Sequence, residues 1–326
     1  MRPLVDLPTI ERTRRGLPNF IRRTPLLPLA RSSTEVGEER LFLKAENLQV
    51  TGAFKPRAAF AVMSALSDKD RSRGVVLTSS GNFAQAFALA GRHFNVPIVV
   101  VVLESTSPYK VEATRRYGAE VVFCTDPLAR QTVVEEIARS RGMSAIDTFE
   151  DPAIVAGHGS IGLEILEDCP SVETILVPVS TGGMAAGVAT AVKETRSEVN
   201  VIGVQPERAN AAYVSLKKGT PTAIDYWDTM ADGLSARRPG EFPFRHISRY
   251  LDGIVLVSEQ EIASTFRTLL FRGKLLAEGA GLVAAAGFLS RKVPEGLKTV
   301  AVVSGGNMTE KAAQVMLAMS TREELS

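Results

Sequence analysis

The sequence has few of the residues that build disulfide frameworks and metal sites. It contains only two cysteines, Cys124 and Cys169, without CxxC spacing, and three histidines that lie far apart in the chain. Small secreted scaffolds depend on several paired cysteines, and zinc sites depend on closely spaced cysteine and histidine ligands. Neither class is indicated, and the low cysteine content favours a reducing compartment, the cytoplasm.

The sequence also lacks a surplus of charge and a long hydrophobic segment. Its 38 basic and 36 acidic residues give a net charge of +2, which offers no attraction to a polyanion, so we expect no nucleic-acid partner. The longest apolar run, at 96–103, is far too short to span a bilayer. The first residues lack the apolar core of a signal peptide, and we expect no membrane association.

Short segments rich in β-branched residues alternate with helical patterns along most of the chain. The segments are apolar almost throughout, which predicts strands that are covered on both faces of a sheet. Alternation of such strands with helices is typical of an α/β protein with mostly parallel strands. The predicted strands lie at 74–80, 96–103, 119–124, 173–180, 199–205, 253–258 and 298–306.

Three of the predicted strands end in turns that are rich in glycine and in hydroxyl or amide side chains. The turns are LTSSGNF (77–83), VPVSTGGMAAG (177–187) and VVSGGNM (302–308), and each precedes a predicted helix. A turn of this kind presents backbone N–H groups at a helix start, where they bind anions. One such turn is a common connection, but three of them would meet in one cleft if their strands are neighbours.

A lysine with unusual neighbours stands at position 55, in the segment TGAFKPRAAF. Pro56 suits the first turn of a helix and should move Lys55 out of the α region. The helix start and the desolvation by Phe54 both disfavour an ammonium ion, so the pKa of Lys55 should be low. A neutral lysine is a nucleophile that forms Schiff bases with aldehydes. From this segment alone, a lysine that simply reaches water at the helix end is the stronger interpretation.

The three turns supply partners for one particular cofactor. The turn at 180–184 suits a small phosphate, because neither GxGxxG nor GK[ST] is present to indicate a dinucleotide or a P-loop. The turn at 79–83 can hold a carboxylate and a phenolic oxygen, and Ser304 stands where a hydroxyl can meet a ring nitrogen. Together with a lysine for an aldehyde, these groups predict pyridoxal 5'-phosphate. Taken alone, the turns at 79–83 and 304–307 would be ordinary connections, and a plain connection also stays open for the turn at 180–184.

Several motifs follow one another along nearly the whole chain. They are RTPLLPL (23–29), FLKAENLQVTGAFKPRAA (42–59), SSGNFAQA (79–86), GHGSIGLEI (157–165, similar to a GQGTI-type segment), VPVSTGGM (177–184), ADGLSARRPG (231–240), AEGAGLVAAAG (277–287) and SGGN (304–307). In this order they resemble the fold-type-II pyridoxal-phosphate enzymes, specifically the serine/threonine dehydratase and serine racemase family.

The resemblance implies a tryptophan-synthase-β-like α/β fold, with two open-sheet domains of mostly parallel strands flanked by helices. A large cofactor-binding domain would comprise residues 1–67 and 152–326. A small domain at 68–151, which carries the substrate loop, would be inserted in it. The resemblance further implies a homodimer that acts on a small amino acid.

The resemblance also implies a role for each matching residue. Lys55 would hold the cofactor through a Schiff base, with Phe54 and Gly233 on opposite faces of its ring. Asn82 would bond the 3′-oxygen of the ring, and Ser304 would face the pyridine nitrogen. The other implied roles are a phosphate cradle from Ser180, Thr181, Gly182, Gly183 and Met184, a substrate-carboxylate site from Ser79, Ser80, Asn82 and Phe83, and a place for Glu278 near the far edge of the cofactor.

The chain departs from the family pattern at several positions. Ala53 and Ala58 stand where serine and glycine are usual, and both are small enough for close backbone approach. Phe83 stands where histidine is common, which favours a substrate with an apolar or larger side chain. Some racemases bind a divalent cation through acidic side chains, but the corresponding positions here are poor ligands, so we predict no metal there. These positions read Gln205, Ala209 and Ala211.

The resemblance implies a lyase that eliminates the β-hydroxyl group of threonine or serine and yields a 2-oxo acid and ammonia. The freed Lys55 would remove the Cα proton. Ser80 leaves a second activity open, because its hydroxyl could deliver a proton to the other face of Cα, as an amino-acid racemase requires. Related eliminations on hydroxyaspartate, phenylserine or an ectoine-derived substrate are further alternatives. A module that only binds a small anion is the alternative from another functional class.

A visible absorption band in the purified protein separates the enzyme from the anion-binding module. We expect this band because a pyridoxal cofactor bound to lysine is coloured, whereas the binding of a small anion requires neither colour nor Lys55. Lys55→Ala should remove the band. A colourless protein whose properties do not change with Lys55→Ala would contradict the enzyme assignment.

Overall fold

The larger of two sheets is built mainly from the second half of the chain. The computed structural model describes residues 2–29, 40–79, 81–126, 128–294 and 296–320. The strands of this sheet are β1 (Leu26–Leu29), β2 (Leu41–Lys44), β7 (Thr174–Pro178), β8 (Asn200–Pro206), β9 (Gly253–Val257) and β10 (Thr299–Val302). They lie in the order β1-β2-β10-β7-β8-β9, and only β1 is antiparallel to its neighbour.

The smaller sheet has four strands, all of them parallel. The strands are β3 (Val75–Thr78), β4 (Ile98–Leu103), β5 (Glu120–Cys124) and β6 (Ser144–Ala145), and they lie in the order β5-β4-β3-β6. Because parallel neighbours need crossover connections, helices lie between the consecutive strands from β2 to β10. The predicted α/β class with mostly parallel strands is confirmed.

The seven strands predicted from apolar segments are all present, as β3, β4, β5, β7, β8, β9 and β10. The sequence analysis missed β1, β2 and β6 for local reasons. Strand β1 contains Pro28, which is tolerated because β1 is an edge strand, and β2 ends in a buried lysine, Lys44. Strand β6 has two residues, too few to produce any pattern.

The helices of the described residues cover both sheets. They are α1 (Leu7–Arg15), α2 (Pro56–Ala65), α3 (Asp68–Ser72), α4 (Asn82–Phe94), α5 (Pro108–Arg116), α6 (Arg130–Arg141), α7 (Pro152–Asp168), α8 (Gly183–Thr195), α9 (Ala211–Lys218), α10 (Glu241–Tyr250), α11 (Glu259–Phe271), α12 (Gly279–Leu289) and α13 (Glu310–Ser320). In this part of the chain, none of them is long and apolar enough to cross a bilayer.

Helix α2 packs against the elements of the smaller sheet, although it precedes the predicted small domain. Ala58 and Phe60 of α2 share one buried core with Val75 of β3 and Phe87 of α4. The strands and helices from α3 to β6 do fall within 68–151. The domain boundaries stay a prediction, and the shared core places α2 at the junction of the two sheets.

Close backbone contacts hold α2, α7 and α8 together. A Cβ atom at Gly157 of α7 would lie 2.5 Å from the carbonyl oxygen of Arg57 in α2. A Cβ atom at Gly187 of α8 would lie 2.3 Å from the carbonyl oxygen of Val155 in α7. Only glycine permits backbones to approach this closely. The three helices therefore form one packed unit beneath the turn that carries Lys55.

A buried ion cluster ties α2 to the rest of the fold. The guanidinium group of Arg57 donates to Glu46 at 2.8 and 2.9 Å and to Glu164 at 2.6 and 2.8 Å. Arg57 is 1% exposed and Glu46 is fully buried. Lys44 completes the cluster, since its Nζ lies 2.7 Å from Glu164. Burial disfavours the charge of Arg57, but the two carboxylates outweigh it and raise the pKa of the guanidinium group.

Replacing Arg57 should therefore destabilise the fold strongly. Arg57→Met leaves Glu46 and Glu164 buried without their main partner, and breaking a buried pair in this way lowers the free energy of unfolding by roughly 3–5 kcal/mol. Urea unfolding without cofactor measures this change directly, since bound cofactor would add its own stabilisation.

Arg141→Met is the matched control for this experiment. Arg141 pairs with Glu120 at the surface, where both side chains are about half exposed, and exposed pairs contribute little to stability. We expect its unfolding midpoint to stay almost unchanged. Equal effects of the two substitutions would show that the buried cluster is not a stabilising element.

Candidate active site

The three glycine-rich turns line a single cavity of about 490 Å³. Ser79 follows β3, Ser180 follows β7, and Ser304 follows β10. Strands β7 and β10 are neighbours in the larger sheet, whereas β3 belongs to the smaller one. The turns meet because the carboxyl ends of strands from both sheets open onto one cavity, which is the usual place for ligands in α/β proteins.

The site residues predicted from the sequence lie together at this cavity, except Ser80, which is outside the described residues. The residues that line it are Phe54, Lys55, Ser79, Asn82, Phe83, Ser180, Thr181, Gly182, Gly183, Met184, Gly233, Glu278 and Ser304. Their common location is observed, while the role assigned to each of them stays a prediction.

Lys55 lies between two aromatic rings at the cavity. Its Nζ atom is 4.3 Å from the ring centroid of Phe54 and 3.9 Å from the ring centroid of Phe83. Burial lowers the pKa of Lys55 to about 7, against a smaller opposing effect of the Glu278 carboxylate. A large fraction of the amine is therefore uncharged near neutral pH, and an uncharged amine is a nucleophile.

The backbone of Lys55 differs from the expectation. Its φ of −57° and ψ of −30° are in the α region, so the prediction that Pro56 moves it out of this region is wrong. The Lys55 carbonyl accepts hydrogen bonds from the amides of Ala58 and Ala59 at 3.1 and 3.0 Å. These bonds in a buried segment outweigh the steric preference of a residue before proline, and Lys55 already belongs to the first turn of α2.

The turn at 180–184 leads into α8 with the geometry of an anion site. Gly182 has a φ of +106°, and a Cβ atom there would lie 2.6 Å from Ile247. Helix α8 begins at Gly183 without a side-chain cap from the described residues, so the first N–H groups of the helix are available to an anion. Ser180 and Thr181 contribute two hydroxyl groups at the same edge of the cavity.

A hydrogen-bond network fixes Asn82 at the start of α4. The Asn82 amide donates to Glu278 at 2.7 Å, and it accepts a hydrogen bond from Asn307 at 2.8 Å. Asn307 also donates to the carbonyl oxygen of Thr51 at 2.7 Å. Burial, assisted by the charge of Asp232, raises the pKa of Glu278 to about 7. Because an amide nitrogen carries two hydrogens, Asn82 keeps one donor for a ligand.

Gly233 and Ser304 both contact Ala280, in the first turn of α12. A Cβ atom at Gly233 would lie 3.0 Å from the Cβ of Ala280, so the backbone at 233 closely approaches this helix. The Ser304 hydroxyl is buried and donates to the Ala280 carbonyl oxygen at 3.3 Å. This bond is long, and a hydroxyl hydrogen rotates freely, so Ser304 can turn to a ring nitrogen instead.

An ion pair connects the two sides of the cavity. The Nζ of Lys110, in α5 of the smaller sheet, lies 2.5 Å from a carboxylate oxygen of Asp232, which precedes Gly233. Both residues line the cavity. The pair therefore links the substrate-loop side of the cavity to the segment that approaches α12.

Gln205 stands at one of the positions where the sequence predicts that no metal binds. Both polar atoms of its side chain make hydrogen bonds. Its Nε2 donates to the carbonyl oxygens of Val179 and Ala209 at 3.2 Å, and its Oε1 accepts from the Tyr213 amide at 2.8 Å. In the described residues, no group of three or more His, Cys, Asp and Glu side chains is arranged to hold a metal ion. The absence of a metal stays a prediction.

Comparison with known proteins gives the family. A model of the pyridoxal-phosphate dependent enzymes matches residues 17–305. The chain belongs to this family. The resemblance inferred from the ordered motifs is therefore confirmed, and with it the predicted cofactor, pyridoxal 5'-phosphate.

Relatives and solved structures place the chain near two kinds of pyridoxal-phosphate enzyme. It is 42% identical over 302 residues to the L-threonine ammonia-lyase of Geobacter sulfurreducens, which covers 91% of this chain and 74% of that protein. It is 39% identical over 306 residues to the L-threonine ammonia-lyase of Thermotoga maritima, which covers 94% of this chain and 76% of that protein. Maize serine racemase superposes with a TM-score of 0.90 at 27% identity, covering 99% of this chain and 100% of that one.

The residues at the cavity fit the cofactor of the pyridoxal-phosphate family. Lys55 offers an uncharged amine for an aldehyde, and the start of α8 offers N–H donors for a phosphate. Asn82 has a free donor for a phenolic oxygen, and Ser304 has a rotatable hydroxyl for a ring nitrogen. Each polar part of the cofactor therefore finds a group of the matching kind at this cavity.

The cavity also contains residues to which the sequence analysis assigned no role. Three of them lie inside quoted motifs, His158 in GHGSIGLEI, Asp232 in ADGLSARRPG and Asn307 in SGGN, so the motifs themselves were the available signal. The pairing of Asp232 with Lys110 carries no local signal, because the contact joins positions that are 122 residues apart. Such a pair is visible only once the two sheets are placed.

The low pKa of Lys55 can be measured in cofactor-free protein by pH-dependent amine labelling, followed by mass spectrometry of the Lys55 peptide. We expect a labelling midpoint near a pKa of about 7, well below the ordinary value of about 10.4. Glu278→Gln removes the carboxylate that raises this pKa, so the midpoint should fall further.

Glu310→Gln serves as the control, because Glu310 is an exposed residue of α13 and should leave the midpoint unchanged. A midpoint near that of an ordinary lysine, or one that rises in Glu278→Gln, would show that burial does not control this amine.

Proposed function

We propose that the protein catalyses the β-elimination of a β-hydroxy amino acid, with threonine as its preferred substrate and serine as a second one, to give a 2-oxo acid and ammonia. The observation that carries this proposal is the amine of Lys55, whose pKa is lowered to about 7, at the same cavity as the starts of α4 and α8, which are two sites for an anion. Similarity of 39 and 42% to two L-threonine ammonia-lyases supports the choice of substrate.

Lys55 is proposed to move the proton that starts the reaction. Bound pyridoxal phosphate withdraws electrons from the amino acid and makes its Cα proton acidic. With a pKa of about 7, the Lys55 amine is matched to accept that proton near neutral pH. Phe54 and Phe83 cover the amine on two sides, and they reduce its contact with water.

The start of α4 is proposed to hold the substrate carboxylate. Helix α4 begins at Asn82, and no side chain of the described residues caps it, so its first N–H groups are available to an anion. The Ser79 hydroxyl lies in the same turn and lines the cavity. The network with Glu278 and Asn307 keeps Asn82 in one orientation, which supports a fixed position for the substrate.

The cavity wall near Lys55 supports a preference for threonine over serine. The ring of Phe83 lies against the amine and also packs on Phe87, and Ile154 lines the same cavity. An apolar wall favours a substrate methyl group, and one methyl group is worth about a tenfold preference in such a site. A carboxylate or hydroxyl group of the substrate that faced this wall would gain no binding energy from it.

Racemisation is the second candidate activity. The serine racemase of maize has the same fold, and the family resemblance implies that the hydroxyl of Ser80, which lies outside the described residues, would deliver a proton to the face of Cα opposite Lys55. We propose Ser80 as the residue that would carry this activity. It would accompany elimination and would not replace it.

We further propose that the enzyme is a homodimer and that it works in the cytoplasm. Both cysteines, Cys124 and Cys169, are buried free thiols, which suits a reducing compartment.

A screen for 2-oxo-acid release tests the proposed function. L- and D-isomers of threonine, serine, hydroxyaspartate and phenylserine are compared, and we expect the highest kcat/KM with L-threonine, about tenfold above L-serine. Lys55→Ala should lower the rate roughly a hundredfold to ten-thousandfold. Lys69→Ala, an exposed lysine of α3, is the control and should leave the rate unchanged.

Two outcomes of this screen decide between the candidates. Release from none of the β-hydroxy amino acids, by protein that carries its cofactor, would reject the elimination. If Ser80→Ala interconverted L- and D-serine at the full rate, the proposed role of Ser80 would be rejected.

A further inference from the structure

His158 is a buried histidine at the cavity that the mechanism above does not use. It lies in α7, is 1% exposed and lines the cavity. Its ring centroid is 4.6 Å from that of Phe54 and 6.1 Å from that of Phe83. The imidazole therefore lies beside the same two rings that cover the Lys55 amine.

Among the described residues, neither Nδ1 nor Nε2 of His158 has a hydrogen-bond partner. The carbonyl oxygen of Gly183 comes near the ring and favours its charged form, but by distance and angle it makes no hydrogen bond with either ring nitrogen. Buried polar groups without partners are rare, because each lowers stability by about 1–3 kcal/mol. An imidazole kept in this condition indicates a ligand.

The position of His158 indicates which part of a ligand it would meet. A Cβ atom at Gly183 would lie only 3.8 Å from His158 Nδ1, and Gly183 is the first residue of α8. The ring is thus next to the N–H groups that form the anion site at 180–184. Helix packing fixes this placement, since a Cβ atom at Gly187 would lie 2.6 Å from the amide of Gly159.

The charge state of His158 suits a neutral donor. Burial, followed by the positive charges of Lys55 and Arg57, lowers the pKa of His158 well below its usual value. A neutral imidazole carries one N–H donor and one acceptor. The N–H group of the neutral ring can donate to a phosphate oxygen. The ring does not have to be protonated for this, and burial disfavours its protonation.

We propose that the His158 ring donates a hydrogen bond to the phosphate group of pyridoxal phosphate and completes the cradle formed by residues 180–184. His158 is then a positioning residue that holds one end of the cofactor while Lys55 holds the other. This inference rests on cofactor binding, which is a property of the family, and not on the choice of amino-acid substrate.

The proposal is tested by comparing two ligands that differ only in the phosphate. The full chain, freed of cofactor, is titrated with pyridoxal phosphate and with pyridoxal, and binding is followed by absorbance. His158→Leu removes the donor, and His158→Gln restores a neutral amide donor, the residue type of the GQGTI-type segment. Thermal unfolding of the cofactor-free variants shows whether each is folded.

We expect His158→Leu to weaken the binding of pyridoxal phosphate about tenfold, since a hydrogen bond to a charged group is lost. The affinity for pyridoxal should change little, and His158→Gln should recover most of the loss. Equal weakening for both ligands would assign His158 a purely structural role and overturn the proposal, as would full retention of phosphate-dependent binding in His158→Leu.

Phosphorus NMR of the bound cofactor gives a readout that does not depend on activity. The resonance of the bound phosphate should move in His158→Leu and return toward its original position in His158→Gln. An unchanged resonance in His158→Leu would contradict the contact. Neither experiment uses an amino-acid substrate, so a failure of the proposed elimination leaves this result interpretable.

Discussion

The buried guanidinium group of Arg57 is the interaction on which the site depends. It joins three parts of the chain at once, because it binds Glu46 after β2 and Glu164 in α7 while it belongs to α2. Lys55 precedes it by two residues, so the cluster that fixes Arg57 also fixes the start of α2. A surface ion pair could not do this, because solvent would compete for both partners. The position of the reactive Lys55 amine therefore depends on a charge cluster that takes no part in the chemistry.

The protonation of the Lys55 amine is controlled by groups outside this cluster. Glu46 and Glu164 are engaged by Arg57, and neither acts on Lys55, for which Glu278 is the opposing carboxylate. Burial keeps Glu278 itself partly protonated near neutral pH, with a pKa of about 7. A carboxylate that is only partly charged cannot hold the lysine fully in its ammonium form. Burial of Lys55 and Glu278 therefore keeps the amine reactive.

Much of this arrangement could be predicted from local patterns. Apolar segments identified seven strands, since strands that are buried on both faces carry an uninterrupted signal, and motif order identified the family. The backbone of Lys55 was predicted wrongly because the rule for a residue before proline considers only its neighbours, whereas the hydrogen bonds of α2 decide it. His158 and Asn307 escaped assignment for a related reason. Their importance comes from what they meet across the cavity, and neither residue type signals that in sequence.

The close helix contacts have a consequence for the geometry of cofactor binding. Lys55 stands at the start of α2 and the anion site stands at the start of α8, with α7 between them. Gly157 and Gly187 set how near these helices lie, so they also set the span between the two points that would grip opposite ends of one small molecule. A methyl group at either glycine would widen that span without touching a single polar group of the site. The length of cofactor that fits the site therefore depends on two glycine residues that do not line the cavity.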